Sequence, residues 1–115
     1  MKIRVTPAAL TDLKEIQQYI SETLKNPDAA DRTVRRIISD YLRLIDSPYI
    51  GTSLKSKLNI DTPYCFLVSG NYLVFYAIND DTVYINRIIY GKRDYDQILF
   101  SKSFIDFDDP TEDTP

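Results

Sequence analysis

The side chains best suited to chemistry lie in the last third of the chain. Arg87 sits in a Val/Ile run, Lys92 and Arg93 follow Gly91, and Tyr95 comes two residues later. A guanidinium offers a fixed fork of donors to a carboxylate or phosphate, and a phenol can donate a proton. Two readings are open at each position. Arg87 is either a cation at the centre of an open sheet face or one half of an ion pair with Asp94 or a helix acid. Arg93 is either aimed outward by the loop after Gly91 or paired with Asp94 or Asp96. Tyr95 either anchors a short closing helix or acts as a general acid, and nothing in the sequence would depress its pKa for that task. The chain has no histidine and a single cysteine, Cys65. Histidine metal sites, Ser-His-Asp triads, cysteine-rich zinc sites and disulfide frameworks are therefore excluded. Cys65 has apolar neighbours and reads as an inert core thiol. Asp80 and Asp81 read as turn residues. No metal and no cofactor are expected.

These side chains are positioned by a change of period along the chain. Lys2 to Val5 reads as a short strand. Thr6-Pro7 then opens a helix, with threonine as cap and proline in the first turn. Leu10, Leu13, Ile16, Ile20 and Leu24 recur at helical spacing along one face. Asn26-Pro27-Asp28 opens a second helix, whose apolar positions are Ala30, Val34, Ile37, Ile38, Tyr41, Leu42 and Ile45. That helix stops at Ser47-Pro48. A connection this short folds the pair into an antiparallel hairpin. Residues 49–63 read as a loop carrying Lys55 and Lys57. From Tyr64 the period becomes two. Strands at 64–69, 72–78 and 83–90 are joined by a Gly70-Asn71 turn of type II′ and an acidic turn at 79–82. Alternation places Arg87 on the side of Val83, Ile85 and Ile89. Residues 94–100 read as a short closing helix with Ile98 and Leu99 inward. The order β-α-α-β-β-β predicts an α+β domain, an antiparallel sheet with the hairpin across one face.

The chain has 115 residues, 43% of them apolar and 27% charged, enough for one ordinary core. The longest apolar run, Tyr72 to Ile78, is far short of the ~20 residues that span a bilayer. The first fifteen residues lack the apolar stretch of a signal peptide. A cytoplasmic setting with no membrane contact is expected. Residues 1–105 carry a net charge of +2, and the last ten carry −5 through Asp106, Asp108, Asp109, Glu112 and Asp113. The expectation is one domain over 1–105 followed by an acidic tail at 106–115. The tail is either a solvated end or a cover for a basic surface. A body charge of +2 argues against strong binding of free nucleic acid, and the tyrosines and phenylalanines read as strand packing.

The segment from Asn71 to Phe100 resembles the C-terminal half of the RelE/ParE superfamily of bacterial toxins. The features that carry the resemblance are Tyr72-Leu-Val-Phe-Tyr76, Asp80-Asp81, the Arg-x-x-x-Gly from Arg87 to Gly91, and Arg93-Asp94-Tyr95. Thr6-Pro7-Ala8 and Asp12-Leu13 at the start of the hairpin are similar too, so the likeness covers about residues 1–100. It implies a small growth inhibitor neutralised by a cognate antitoxin that folds on binding. RelE-like members cut messenger RNA on the ribosome, and ParE-like members poison DNA gyrase.

Cutting RNA needs a base, cations for the phosphate and an acid for the leaving oxygen. The strand that should bring cations reads Tyr64-Cys65-Phe66-Leu67-Val68. Where RelE-like nucleases place an arginine after Tyr72, this chain has Leu73. Leu99 and Phe100 stand near the expected terminal tyrosine. Arg93, beside Lys92, matches a phosphate-stabilising position, and Tyr95 is the remaining candidate acid. The resemblance thus implies the ParE-like side and action by protein binding, with Arg87, Lys92 and Arg93 as target- or phosphate-binding candidates. Cys65 replaces an arginine that often precedes the aromatic strand in ParE-like members. Ribosome-dependent RNA cleavage by Arg93 and Tyr95 is the alternative. An inactive or repurposed interaction module that binds a helix in a groove is a third.

Overall fold

The computed structural model describes residues 1–59 and 61–91. Lys92, Arg93 and Tyr95, the closing helix read at 94–100 and the acidic tail lie outside the described residues. The described elements run β1 (Lys2–Val5), α1 (Pro7–Gln18), α2 (Pro27–Leu42), β2 (Thr52–Ser53), α3 (Leu54–Leu58), β3 (Cys65–Ser69), β4 (Tyr72–Asn79) and β5 (Thr82–Tyr90). The α+β arrangement is as read from the sequence: α1 and α2 lie on a five-stranded sheet of order β1-β5-β4-β3-β2.

The sheet is mixed and not purely antiparallel. Tight turns at Gly70-Asn71 and Asp80-Asp81 force β3, β4 and β5 to run antiparallel. No such turn binds β1 to a neighbour, and it pairs parallel with β5, Lys2 opposite Thr82 through Val5 opposite Ile85. At the first turn Gly70 takes a left-handed φ of +59° while Asn71 does not, as type II′ requires.

Both helices start as their caps dictate. The Thr6 hydroxyl accepts the Ala9 N–H at 3.2 Å and the Asn26 side chain accepts the Ala29 N–H at 3.1 Å. Their buried stripe comprises Ala9, Leu13, Ile20, Ala30, Ile37, Tyr41 and Leu44. Four positions assigned to that stripe face water instead: Leu10, Leu24, Leu42 and Ile45 are 48, 56, 44 and 37% exposed. The cause for Leu24 is local. After Gln18 the helix widens into one π turn over Tyr19–Thr23, and the Leu24 N–H reaches back to the Tyr19 carbonyl at 3.0 Å. The extra residue in that turn swings Leu24 off the stripe. At the other end Ala9, fully buried, is the residue that meets the sheet, and Leu10 is carried outward beside it.

The segment read as a loop at 49–63 holds more structure than expected. Thr52–Ser53 pairs with Phe66 and Cys65 as an edge strand. Ser53 then caps the five-residue α3 by accepting the Ser56 N–H at 3.4 Å. One helical turn is too short for a periodic signal, but it carries Leu54 and Leu58 onto the sheet face opposite the hairpin. There Leu54, Tyr64, Phe66, Leu73, Phe75 and Ala77 form a second core.

Candidate functional site

The site grows from an irregularity in β5. Phe75 pairs with Arg87, but Tyr76 pairs with Ile85, so Asn86 is an extra residue and forms a β-bulge. Thr6 holds it there: its N–H donates to the Ile85 carbonyl at 3.0 Å and its hydroxyl to the Asn86 carbonyl at 3.1 Å. The bulge inverts the alternation beyond it. Ile88 joins Val83 and Ile85 in the core under the helices, while Ile89 packs with Leu73 and Phe75 on the other face. Simple alternation, which grouped Arg87 and Ile89 with Val83 and Ile85, fails here because it assumes an unbroken ladder.

β1 ends at Val5, so the edge of β5 beyond the bulge has no strand partner there. Helix α1 supplies one through Asp12. Its carboxylate accepts the Ile88 N–H at 2.8 Å and two donors from Arg87, Nε at 2.8 Å and Nη2 at 3.0 Å. Asp12 is buried, and the Arg87 side chain is 40% exposed. This fork-to-fork contact raises the Arg87 pKa, with Glu15 adding to the field. Of the two partners the sequence offered for Arg87, Asp94 or a helix acid, the pair forms with a helix acid, Asp12, and three donors meet on its carboxylate. The sequence did not single out which helix acid; Asp12 entered there only through the Asp12-Leu13 resemblance.

Beyond this pair a groove of about 740 Å³ opens between the π-turn end of α1 and the ends of β4 and β5. Ile16, Tyr19, Ile20 and Leu24 form its helical wall, and Tyr72, Ile88 and Tyr90 its sheet wall. The Tyr72 and Tyr90 rings meet edge to face, 5.3 Å between centroids. Burial, with the neighbouring phenols of Tyr90 and Tyr19, pushes the Tyr72 pKa up, so its hydroxyl stays protonated at neutral pH. Among the described residues lining the groove, Arg87 is the one cation, and its guanidinium is engaged by Asp12. The groove is suited to an apolar segment and poorly suited to a polyphosphate chain.

Elsewhere the candidate chemistry is quiet. Asp80 and Asp81 form the tight turn, where Asp81 accepts the Thr82 hydroxyl at 3.0 Å and faces Lys2 at 3.7 Å. Cys65 is half-buried, and burial pushes its thiol pKa up, away from the reactive thiolate. No group of acids and thiols among the described residues could hold a metal, and no helix among them is long and apolar enough to cross a membrane.

Comparison with known proteins places these features in a wider setting. A family described as the ParE toxin of type II toxin-antitoxin systems, parDE, matches residues 3–95. A solved structure titled a chromosomal ParDE TA system from P. aeruginosa is similar in fold, with a TM-score of 0.66 at 19% identity. The likeness covers 79% of this chain and 96% of that one. No curated protein matches the chain by sequence.

Proposed function

The chain belongs to the ParE toxin family of type II toxin-antitoxin systems, and from that premise we propose that it stops growth by binding a protein target, a DNA gyrase-type enzyme. In the same reading a cognate antitoxin neutralises it by folding an apolar segment into the groove beside Tyr19, Leu24 and Tyr72. The observation that carries this over RNA cleavage is the burial of Leu73. Where an RNA-cutting relative needs a cation, Leu73 is fully buried in the second core with Phe66 and Phe75. An arginine there would bury a charge at a cost of several kcal/mol, ~5 by the usual scale for unpaired ions. Strand β3, which would bring further cations, is apolar on both faces: Leu67 joins one core and Phe66 the other. Arg87, Lys92 and Arg93 are the cations on which target binding is to be tested.

Induced expression in a bacterial host, with cell division and translation followed together, tests the reading. Filamentation and a DNA-damage response with translation intact supports it. An immediate translation stop with messenger RNA cut in the ribosomal A site would overturn it in favour of Arg93 and Tyr95 as catalytic residues. Unaffected growth would leave the family membership standing and refute the activity.

A further inference from the structure

We propose that the end of the helical hairpin remote from the groove is a docking surface for a second copy of this chain, giving a two-fold symmetric dimer centred on Tyr49. Single exposed apolar side chains are ordinary, but contiguous ones mark an interface. Here Leu42 and Ile45, one turn apart at the end of α2, are followed by Tyr49 and Ile50. Tyr49 is 80% exposed, more than any other large apolar side chain among the described residues. The N-terminal ammonium of Met1 donates to the Ile45 carbonyl at 3.3 Å, which ties the start of the chain to the same end of the hairpin.

The patch is held in place before any partner arrives. The Gly51 N–H donates to the Tyr76 hydroxyl at 3.1 Å, and that hydroxyl donates to the Pro48 carbonyl at 3.1 Å. Tyr76 is wholly buried, so both flanks of the Tyr49-Ile50 pair are fixed to the core. Gly51 permits this, because a Cβ there would lie 2.6 Å from the Phe66 carbonyl oxygen. The entropy of ordering the backbone that carries the aromatic anchor is thus largely spent on folding and not on association.

Charge complementarity identifies the occupant. Arg43 and Asp46 are exposed beside the apolar residues, three positions apart, and neither has an ion-pair partner among the described residues. A two-fold contact must be its own complement, each cation meeting the other copy's anion. One unpaired charge of each sign flanking an apolar centre meets that condition. A contact centred on four apolar side chains per copy belongs to the weak class, below about 1,200 Å². It lies at the opposite end of the hairpin from Tyr19 and Leu24, so the dimer leaves the groove open. The inference does not rest on the gyrase reading.

Sedimentation of the purified full-length chain over a concentration series tests it. The expected result is a reversible shift to twice the monomer mass, lost in Tyr49→Ser. Arg43→Asp and Asp46→Arg should each weaken association by about tenfold or more, and the double exchange should restore it. All three positions are exposed, and unchanged melting temperatures would show that the variants are folded. A monomer at every concentration would overturn the proposal, as would a dimer indifferent to Tyr49→Ser or a double exchange that fails to restore association. A monomer whose growth inhibition is abolished by Tyr49→Ser would also overturn it, assigning the surface to a cellular target.

Discussion

Replacing Asp12 by alanine removes the acceptor on which three donors converge, and the cost can be worked from the geometry. The Ile88 N–H is left buried without a partner, about 1–3 kcal/mol. Breaking a fully buried pair by removing one member costs about 3–5 kcal/mol, but the Arg87 side chain is 40% exposed and water can take up its charge, so this part falls to about 1 kcal/mol. The expected total is about 3 kcal/mol, which for a domain of this size lowers the melting temperature by roughly 10–15 °C. Asp12→Asn keeps one acceptor for Ile88 and should cost about half as much. Arg87→Ala leaves a buried carboxylate that still holds Ile88, about 2 kcal/mol. Because the residues touch, the double variant should cost about 1–2 kcal/mol less than the sum of the singles. Urea denaturation of the four proteins measures the cycle. An Asp12→Ala loss under about 0.5 kcal/mol, or strict additivity, would refute the claim that α1 closes the edge of β5 through this carboxylate. Growth inhibition by Arg87→Ala adds a second readout. If inhibition is lost while stability is unchanged, Arg87 faces the target and the pair is incidental.

Thr6→Val keeps the shape but removes both the cap of α1 and the donor to the Asn86 carbonyl; a loss of about 2 kcal/mol in urea denaturation is expected. Burial pushes the Tyr76 phenol from 10.0 up to about 12, so the folded state holds a proton that the unfolded state releases. Its contribution is complete below pH 10 and declines as pH rises towards 12, by up to about 3 kcal/mol. Stability measured at about pH 9 and about pH 11.5 should therefore fall more steeply in the parent than in Tyr76→Phe, and equal slopes would dismiss the effect. Leu24→Glu places a charge in the helical wall of the groove without touching the core. Antitoxin affinity in a calorimeter should drop about 10- to 30-fold, the loss of one anchor residue, with little change in melting temperature.

Much of the architecture was written in period and punctuation. Thr6-Pro7 and Asn26-Pro27 marked both helix starts, and the switch from helical to alternating spacing after Pro63 marked the β3–β5 meander. What escaped were features that depend on partners distant in sequence. The parallel pairing of β1 has no local signal, since no tight turn links it to β5. The bulge at Asn86 is set by Thr6, 80 positions away, and it alone decides that Ile88 faces the helices and Ile89 does not. A helix acid was one candidate partner for Arg87, but only the free edge of β5 beside α1 singles out Asp12. Leu24 and Leu42 fit a helical face by spacing but are left exposed, Leu24 by the π turn. The groove follows in part from the same cause: Tyr19 and Leu24, two of its helical wall residues, are left exposed at the π turn.

The central claim is that the chain inhibits growth by binding a gyrase-type target and not by cutting RNA. The most direct test adds the purified full-length chain to DNA gyrase with relaxed plasmid, and in parallel to translating ribosomes. Blocked supercoiling with accumulating cleaved DNA, and messenger RNA left whole, is the predicted result. Undisturbed supercoiling together with messenger RNA cut on the ribosome would contradict it.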